Sequence, residues 1–257
     1  MRSPNRYAEI DLLRSAAILL MIVYHVVFDL SWFYDWNMDP FAGGWKVLAR
    51  VTATLFLVLV GVSATLLRKG MLARQADDRA VLQRFLRRGL WVLSCGMLVS
   101  LATVIIDPST FVRFGILHLI GTSLLLLPLL LRLGGWNLVL AVPILASYAW
   151  VASPHDTSPL FLPLGLVPAS FATVDYFPLL PWFGMVLAGA GLGHLLYART
   201  TPLSRPESPL RRFFDELQLM RVGKLLALPG RHSLLLYMVH QPVILALLYL
   251  ILGRPSF

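Results

Sequence analysis

The sequence predicts an all-α protein of about seven membrane-spanning helices, with a cytoplasmic N-terminus and an outward-facing C-terminus. Of its 257 residues, 58% are hydrophobic and 14% are charged, and the mean hydropathy is +0.74. A soluble domain has roughly 45–50% apolar and about 25% charged residues, so one globular core cannot enclose this apolar surplus. The composition therefore excludes a water-soluble enzyme.

Seven apolar stretches reach or approach the roughly 20 residues that a helix needs to cross a bilayer core. They lie at 10–33, 46–67, 84–106, 114–131, 136–152, 177–198 and 232–252. The first follows Arg2 and Arg6, as a signal peptide would, but its apolar run is too long and ends without a small-residue cleavage site. We interpret it as a retained anchor. The fifth is the shortest and contains Pro143.

The orientation follows from the basic residues, which are concentrated in alternate loops. The loops 68–88 and 199–231 contain seven Lys or Arg residues each, whereas 34–44 and 153–176 contain none. Because cytoplasmic loops are the ones enriched in Lys and Arg, the odd-numbered spans run from inside to outside. A single domain covers the chain. Within the second basic loop we expect a flexible turn and then an amphipathic helix on the anionic lipids of the inner leaflet.

The net charge of +9 does not indicate a nucleic-acid partner, because the basic residues lie in short blocks between apolar runs. One cysteine, Cys95, excludes an intrachain disulfide. The six histidines have no HxxxH or HExxH spacing, so no metal site is expected.

Four polar residues mark one face of the first span: Asp11, Arg14, His25 and Asp29. Their intervals of 3, 11 and 4 residues bring them to the same side of a helix. Polar side chains in a membrane are costly, so each is a candidate for function. Asp29, one turn from His25, would orient the imidazole and stabilise its charged form. The alternatives are an interfacial Asp11–Arg14 salt bridge and a histidine that bonds to a neighbouring helix.

Several motifs resemble those of membrane acyltransferases. Arg14 and His25 match the R-x10-H signature of the acyltransferase-3 superfamily. The ordered motifs RYAEIDLLRSAAILLM, FGILHLIG at 114–121 and DYFPLLPWFG at 175–184 resemble the catalytic domain of heparan-α-glucosaminide N-acetyltransferase. This resemblance covers nearly the whole chain.

The resemblance implies an enzyme of the bacterial inner membrane. It would transfer an acetyl or similar acyl group from cytoplasmic acetyl-CoA to an outward-facing envelope glycan or lipid-linked sugar. His25 would be the general base or the acyl carrier, with Asp29 as its orienting partner, and Arg14 with Asp11 would lie at the acyl-CoA site. The lysosomal branch of that family has Asn at the position of His25 and a luminal histidine after the first span. Residues 34–44 of this chain contain no histidine, so the luminal histidine has no counterpart here.

Five further residues are candidates for the acceptor site: Arg113, His118, Asp175, Tyr237 and His240. The first three lie near the outer ends of the fourth and sixth spans, and Tyr237 and His240 share a face of the last span. Interfacial packing or interhelical hydrogen bonding is the alternative for each.

The glycine-rich stretch GAGLGH at 189–194 lies inside the sixth span. It follows no strand, so it is not a nucleotide-binding fingerprint. We expect its small residues to form a helix-packing face.

Two other function classes are compatible with the sequence. Charged groups near the middle of a membrane also suit a proton-coupled transporter, although carriers usually show internal repeats, and this chain has none. A non-catalytic membrane subunit would tolerate substitution of His25 and Arg14. Binding of acetyl-CoA to the purified protein would distinguish the enzyme from both.

Overall fold

The computed structural model describes residues 7–151, 158–198 and 208–254, which are largely helical and contain no β-strand. The α-helices are α1 (Ala8–Tyr34), α2 (Gly43–Leu72), α3 (Asp78–Ile106), α4 (Ile116–Leu130), α5 (Asn137–Ala146), α6 (Tyr148–Val151), α7 (Leu179–Leu196), α8 (Pro209–Leu219), α9 (Arg221–Arg231) and α10 (Ser233–Leu252). Among these residues, six helical stretches are long and apolar enough to cross a membrane. The chain is an all-α polytopic membrane protein, as predicted.

The chain divides into two compact units, residues 1–56 with 206–257 and residues 57–205, and each is described by itself. The prediction of a single functional domain stays a prediction. Some of the predictions fall outside the described residues: those on Arg2, Arg6, part of the loop 153–176, the start of the turn before α8 and Phe257.

The fourth and fifth predicted spans fall in one stretch, Ile116–Val151, which forms a single candidate span. Its backbone is nevertheless not helical throughout. Gly134, within the 3-10 segment Leu131–Trp136, has φ 58° and ψ −124°. Only glycine adopts such angles readily, so this residue separates α4 from α5.

In the first unit, α1 and α10 run in the same direction. His25 contacts His240 near the middle of both helices, and the hydroxyl of Tyr34 at the end of α1 donates to the carbonyl of Gly253 just after α10, at 3.2 Å. The first and last crossings of a chain run the same way only when the number of crossings is odd. The seven-span count and the orientation stay predictions.

Reporter fusions test this topology. With seven crossings from a cytoplasmic N-terminus, a reporter that needs the periplasm is expected to be active after Phe257 and inactive at Gln75. A cytoplasmic reporter at the same two positions should give the reverse pattern, which controls for expression. Periplasmic reporter activity at Gln75, or its absence after Phe257, would contradict the seven-span prediction.

The amphipathic segment before the last span differs from the single helix that we expected. It forms two helices, α8 and α9, because Met220 between them is extended, with φ −64° and ψ 148°. The amide of Met220 closes α8 by bonding to the carbonyls of Glu216 and Leu217, and its own carbonyl opens α9 by accepting from Lys224. One residue thus provides hydrogen bonds at both helix ends. The contact of this segment with the inner leaflet stays a prediction.

In the second unit, glycines bring α2 and α7 into backbone contact. A Cβ atom on Gly61 would overlap the carbonyl oxygen of Val186, and one on Gly189 would overlap the carbonyl oxygen of Val58. Such close approach is typical of small residues at the interfaces of membrane helices. The packing face that we predicted from GAGLGH is therefore confirmed.

Candidate active site

Two histidines meet where α1 contacts α10 in the first unit. The rings of His25 and His240 lie 4.6 Å apart between centroids and cross at 84°, an edge-to-face contact. Nδ1 of His25 is 2.9 Å from the carbonyl oxygen of Met21, and Nδ1 of His240 is 2.6 Å from that of Tyr237. Because a carbonyl oxygen only accepts, Nδ1 carries the proton in both rings.

This tautomer leaves the lone pair of each neutral ring on Nε2. Neither Nε2 atom has a hydrogen-bond partner within the described part of the chain, and that of His240 is buried. Two tyrosine rings lie beside the pair. The ring centroid of Tyr24 is 5.6 Å from that of His25, and the ring centroid of Tyr237 is 5.3 Å from that of His240. A neutral imidazole with an unpaired Nε2 can accept a proton or attack a carbonyl carbon.

Asp29 does not orient His25 as the sequence led us to expect. Its side chain is fully buried, and its Oδ1 accepts a hydrogen bond of 2.5 Å from Nε2 of Gln241. The reason is that Nδ1 of His25 is already satisfied by Met21, while a buried carboxyl group needs a donor, which α10 supplies. Gln241 was missed as a site residue. Its position between His240 and the helix-kinking Pro242 is the sequence signal for it.

A cluster of charges lies near the N-terminal end of α1. Asp11, 4% exposed, has Oδ1 at 3.6 Å from Nη1 of Arg14 and Oδ2 at 3.4 Å from Nε of Arg231. The hydroxyl of Ser15 donates to the carbonyl of Asp11 and accepts from the amide of Gly230, which fixes the end of α9 on α1. Two guanidinium groups thus face the carboxylate of Asp11, and guanidinium groups are planar, permanently charged donors that suit phosphate groups. Sequence reasoning counted Arg231 only as a loop residue.

In the second unit, His118 is used to build the fold. It is 4% exposed, its Nδ1 accepts from the amide of Gly115 at 3.2 Å, and its Nε2 lies 3.4 Å from the hydroxyl of Ser100. The hydroxyl of Ser100 in turn donates to the carbonyl of Val112 at 2.5 Å. In this geometry neither ring nitrogen is left for the acceptor sugar that we expected His118 to contact, because both secure the start of α4.

Asp175 also secures the start of α4. Its Oδ2 accepts from the amide of Ile116 at 3.2 Å and lies where a Cβ on Gly115 would be. Burial raises the pKa of Asp175 to about 6, so this carboxyl group holds a proton to a higher pH than an ordinary aspartate does. Its geometry is that of a helix cap, and its part in sugar binding stays a prediction.

Arg113 is exposed and lies between two aromatic rings. Its guanidinium carbon is 4.9 Å from the ring centroid of Phe111 and 5.5 Å from that of Phe171. Such cation–π contacts hold the side chain near the surface of this unit. Its contact with an acceptor also stays a prediction.

A comparison with protein families identifies one match. The sequence model described as "Heparan-alpha-glucosaminide N-acetyltransferase, catalytic" matches residues 6–242, a range that contains Arg14, both facing histidines, Asp29 and Gln241. No curated protein matches the chain significantly. Among the residues that the structure describes, no three His, Cys, Asp or Glu side chains are grouped as a metal site requires. Membership of the acyltransferase-3 superfamily stays a prediction.

Proposed function

The chain belongs to the heparan-alpha-glucosaminide N-acetyltransferase catalytic family, and on this premise we propose which group it transfers and to what. An acetyl or similar acyl group moves from cytoplasmic acyl-CoA to an outward-facing sugar or envelope glycan, across the inner membrane of a bacterium. The observation that carries the proposal is the pair of facing imidazoles, His25 and His240, because each Nδ1 is bonded to a backbone carbonyl and neither Nε2 has a partner among the described residues.

In the chemical step, Nε2 of His25 takes the proton from the acceptor hydroxyl or amine as that group attacks the acyl carbon. A new C–O or C–N bond forms and the C–S bond breaks. The sulfur leaves as a thiolate and takes the proton back from the imidazolium. In the variant with a covalent intermediate, Nε2 attacks the thioester carbon, the C–S bond breaks and the CoA thiolate leaves. The acceptor then attacks the acyl group on His25, the bond between Nε2 and the acyl carbon breaks, and the proton of the acceptor goes to the thiolate. Met21 holds the ring orientation in both cases.

The donor side is formed by the Arg14–Asp11–Arg231 cluster. Asp11 keeps both guanidinium groups in place, and these guanidinium groups bind the phosphates of acyl-CoA. His25 lies eleven residues further along α1, or about 16 Å at 1.5 Å per residue. The phosphate-bearing end of the donor is therefore assigned to the position of Arg14 on α1, and its reactive end to the position of His25.

Replacement of Arg14 by alanine is expected to raise the KM for acyl-CoA and to leave the turnover of bound substrate nearly unchanged. The loss of a hydrogen bond to a charged group costs about 1.5–3 kcal/mol, which corresponds to roughly 10- to 150-fold. Arg14→Lys should recover part of the affinity, because the charge remains and the planar fork is lost. Arg74→Ala, an exposed loop arginine, is the matched control. Equal KM values for the Arg14 and Arg74 variants would contradict the assignment.

Labelled acetyl-CoA tests the function as a whole. Membranes that contain the protein are incubated with it, and the label is followed into glycan, lipid and protein fractions. Transfer into a glycan or lipid-linked sugar is expected with the wild-type chain and not with His25→Ala. Label that remains on CoA with both chains would contradict the proposal and favour a non-catalytic subunit or a transporter.

A further inference from the structure

Three hydrogen-bond acceptors are buried without a partner between α1 and α10. They are Oδ2 of Asp29, Oε1 of Gln241 and Nε2 of His240, none of which has a hydrogen bond to any described residue. Asp29 is fully buried and His240 is 8% exposed. An unsatisfied buried polar atom destabilises a fold, so three on adjoining residues need an explanation beyond the stability of the fold.

With Asp29 ionised, the three atoms share one chemistry, because each can accept a hydrogen bond and none can donate one. A carboxylate oxygen and a lone pair on Nε2 are acceptors by nature. The amide of Gln241 could present either of its ends, but its nitrogen faces Oδ1 of Asp29 at 2.5 Å, so its oxygen is the end that remains. The groups that complement them must therefore donate hydrogen bonds.

The contacts of these residues place the acceptors beside the imidazole pair. His240 contacts His25, and Gln241, the next residue on α10, contacts Asp29, which is one turn beyond His25 on α1. A donor-bearing group bound by Asp29 and Gln241 would thus lie next to Nε2 of His25 and His240, where the proposed reaction takes place.

We propose that Gln241 is a positioning residue that holds Asp29 so that the two side chains accept hydrogen bonds from hydroxyl or amino groups of the acyl acceptor beside His25. The inference rests on the proposed function, since it assigns a substrate group to the same site. The amide nitrogen of Gln241 fixes one carboxylate oxygen, and the other carboxylate oxygen and the amide oxygen face the acceptor. Neither residue contacts the acyl donor.

A swap of the two side-chain types tests this arrangement. Asp29→Asn keeps the pair but replaces the acceptor Oδ2 by a donor nitrogen. The double variant Asp29→Asn/Gln241→Glu restores two unpaired acceptors, because the Asn nitrogen then donates to one Glu oxygen. Gln241→Leu removes the amide and keeps a similar volume. Val243→Ala, at a half-exposed position on α10, is the matched control.

Glucosamine and glucose serve as the probes, because glucosamine has an amine at one position where glucose has a hydroxyl. The full-length purified protein is titrated with each sugar in a thermal-shift assay, and transfer of labelled acetyl groups from acetyl-CoA is measured in parallel. Asp29→Asn and Gln241→Leu should lower kcat/KM for the sugar by about 10- to 150-fold, with the KM for acetyl-CoA unchanged. The double variant should recover much of the loss. The sugar whose kcat/KM falls in the Asp29 and Gln241 variants identifies the hydrogen-bonding group of the acceptor as an amine or a hydroxyl.

The outcomes separate this inference from the proposed function. Sugar binding that depends on the pair, without any acetyl transfer, would contradict the proposed function and support the inference. Acetyl transfer with wild-type sugar KM in Asp29→Asn and Gln241→Leu would overturn the inference alone. A wild-type protein that binds neither sugar would overturn it as well, as would a double variant no better than the single ones.

Discussion

Replacement of His25 by alanine is expected to lower turnover by about 10²- to 10⁴-fold, the usual effect of removing a general base. Binding of acyl-CoA should stay close to the wild-type value, because the charges assigned to the donor lie about 16 Å away along α1. Turnover depends on this ring because the Met21 carbonyl holds the proton on Nδ1, which leaves Nε2 as the only basic atom of the imidazole. Single-turnover acyl transfer and calorimetric binding measure the two effects separately.

His232→Ala is the matched control, since this exposed histidine lies between α9 and α10 and should be dispensable for turnover. His25→Asn gives a second measurement, because asparagine can hydrogen-bond to the acceptor but cannot take its proton at neutral pH. An active Asn variant would mean that position 25 only orients the substrate. Proton transfer would then fall to His240, because both nitrogens of His118 are engaged at the start of α4.

Full activity of His25→Ala with the native acceptor would contradict the mechanism at its central step. Loss of activity together with loss of folded protein would not support it either. The comparison therefore includes the melting temperature of each variant, and the prediction requires a folded, donor-binding protein that does not turn over.

Gly61→Ala is expected to destabilise the second unit strongly. The new Cβ would overlap the carbonyl oxygen of Val186 and approach the backbone of Gly189 and Ala190. Backbone atoms in a helix cannot move aside separately, so α2 and α7 must shift apart. Overpacking of this kind costs typically about 1–3 kcal/mol and occasionally more.

Gly44→Ala is the matched control, because it lies on the same helix and a Cβ there meets no atom within 4 Å. Alanine favours a helix over glycine, so this variant should melt at or slightly above the wild-type temperature. The measurement is the melting temperature of detergent-purified protein together with the yield of folded protein. A Gly61→Ala variant as stable as the Gly44 variant would show that the α2–α7 approach is looser than the structure has it.

The sequence also located part of the candidate site. The 3.6-residue period of a helix brings Arg14, His25 and Asp29 to one side of α1, and this follows from their numbering alone. The sequence could not show that the carboxyl group of Asp29 bonds to Gln241, because that contact depends on how far α10 is displaced along α1. For the same reason, His118 could not be distinguished from a substrate ligand until Ser100 and Gly115 were found at its two nitrogens.

Membrane residence, the helical class and the family motifs were determined by the sequence itself, because hydropathy, helical period and motif order are properties of local stretches of chain. The tertiary structure decided the break at Gly134, the division of the amphipathic segment at Met220 and the partner of each buried polar atom. These depend on the register and close approach of helices distant in the chain. Apolar residues of similar size permit many such registers. The one adopted is selected by glycines that admit backbone contact and by polar atoms that must find partners.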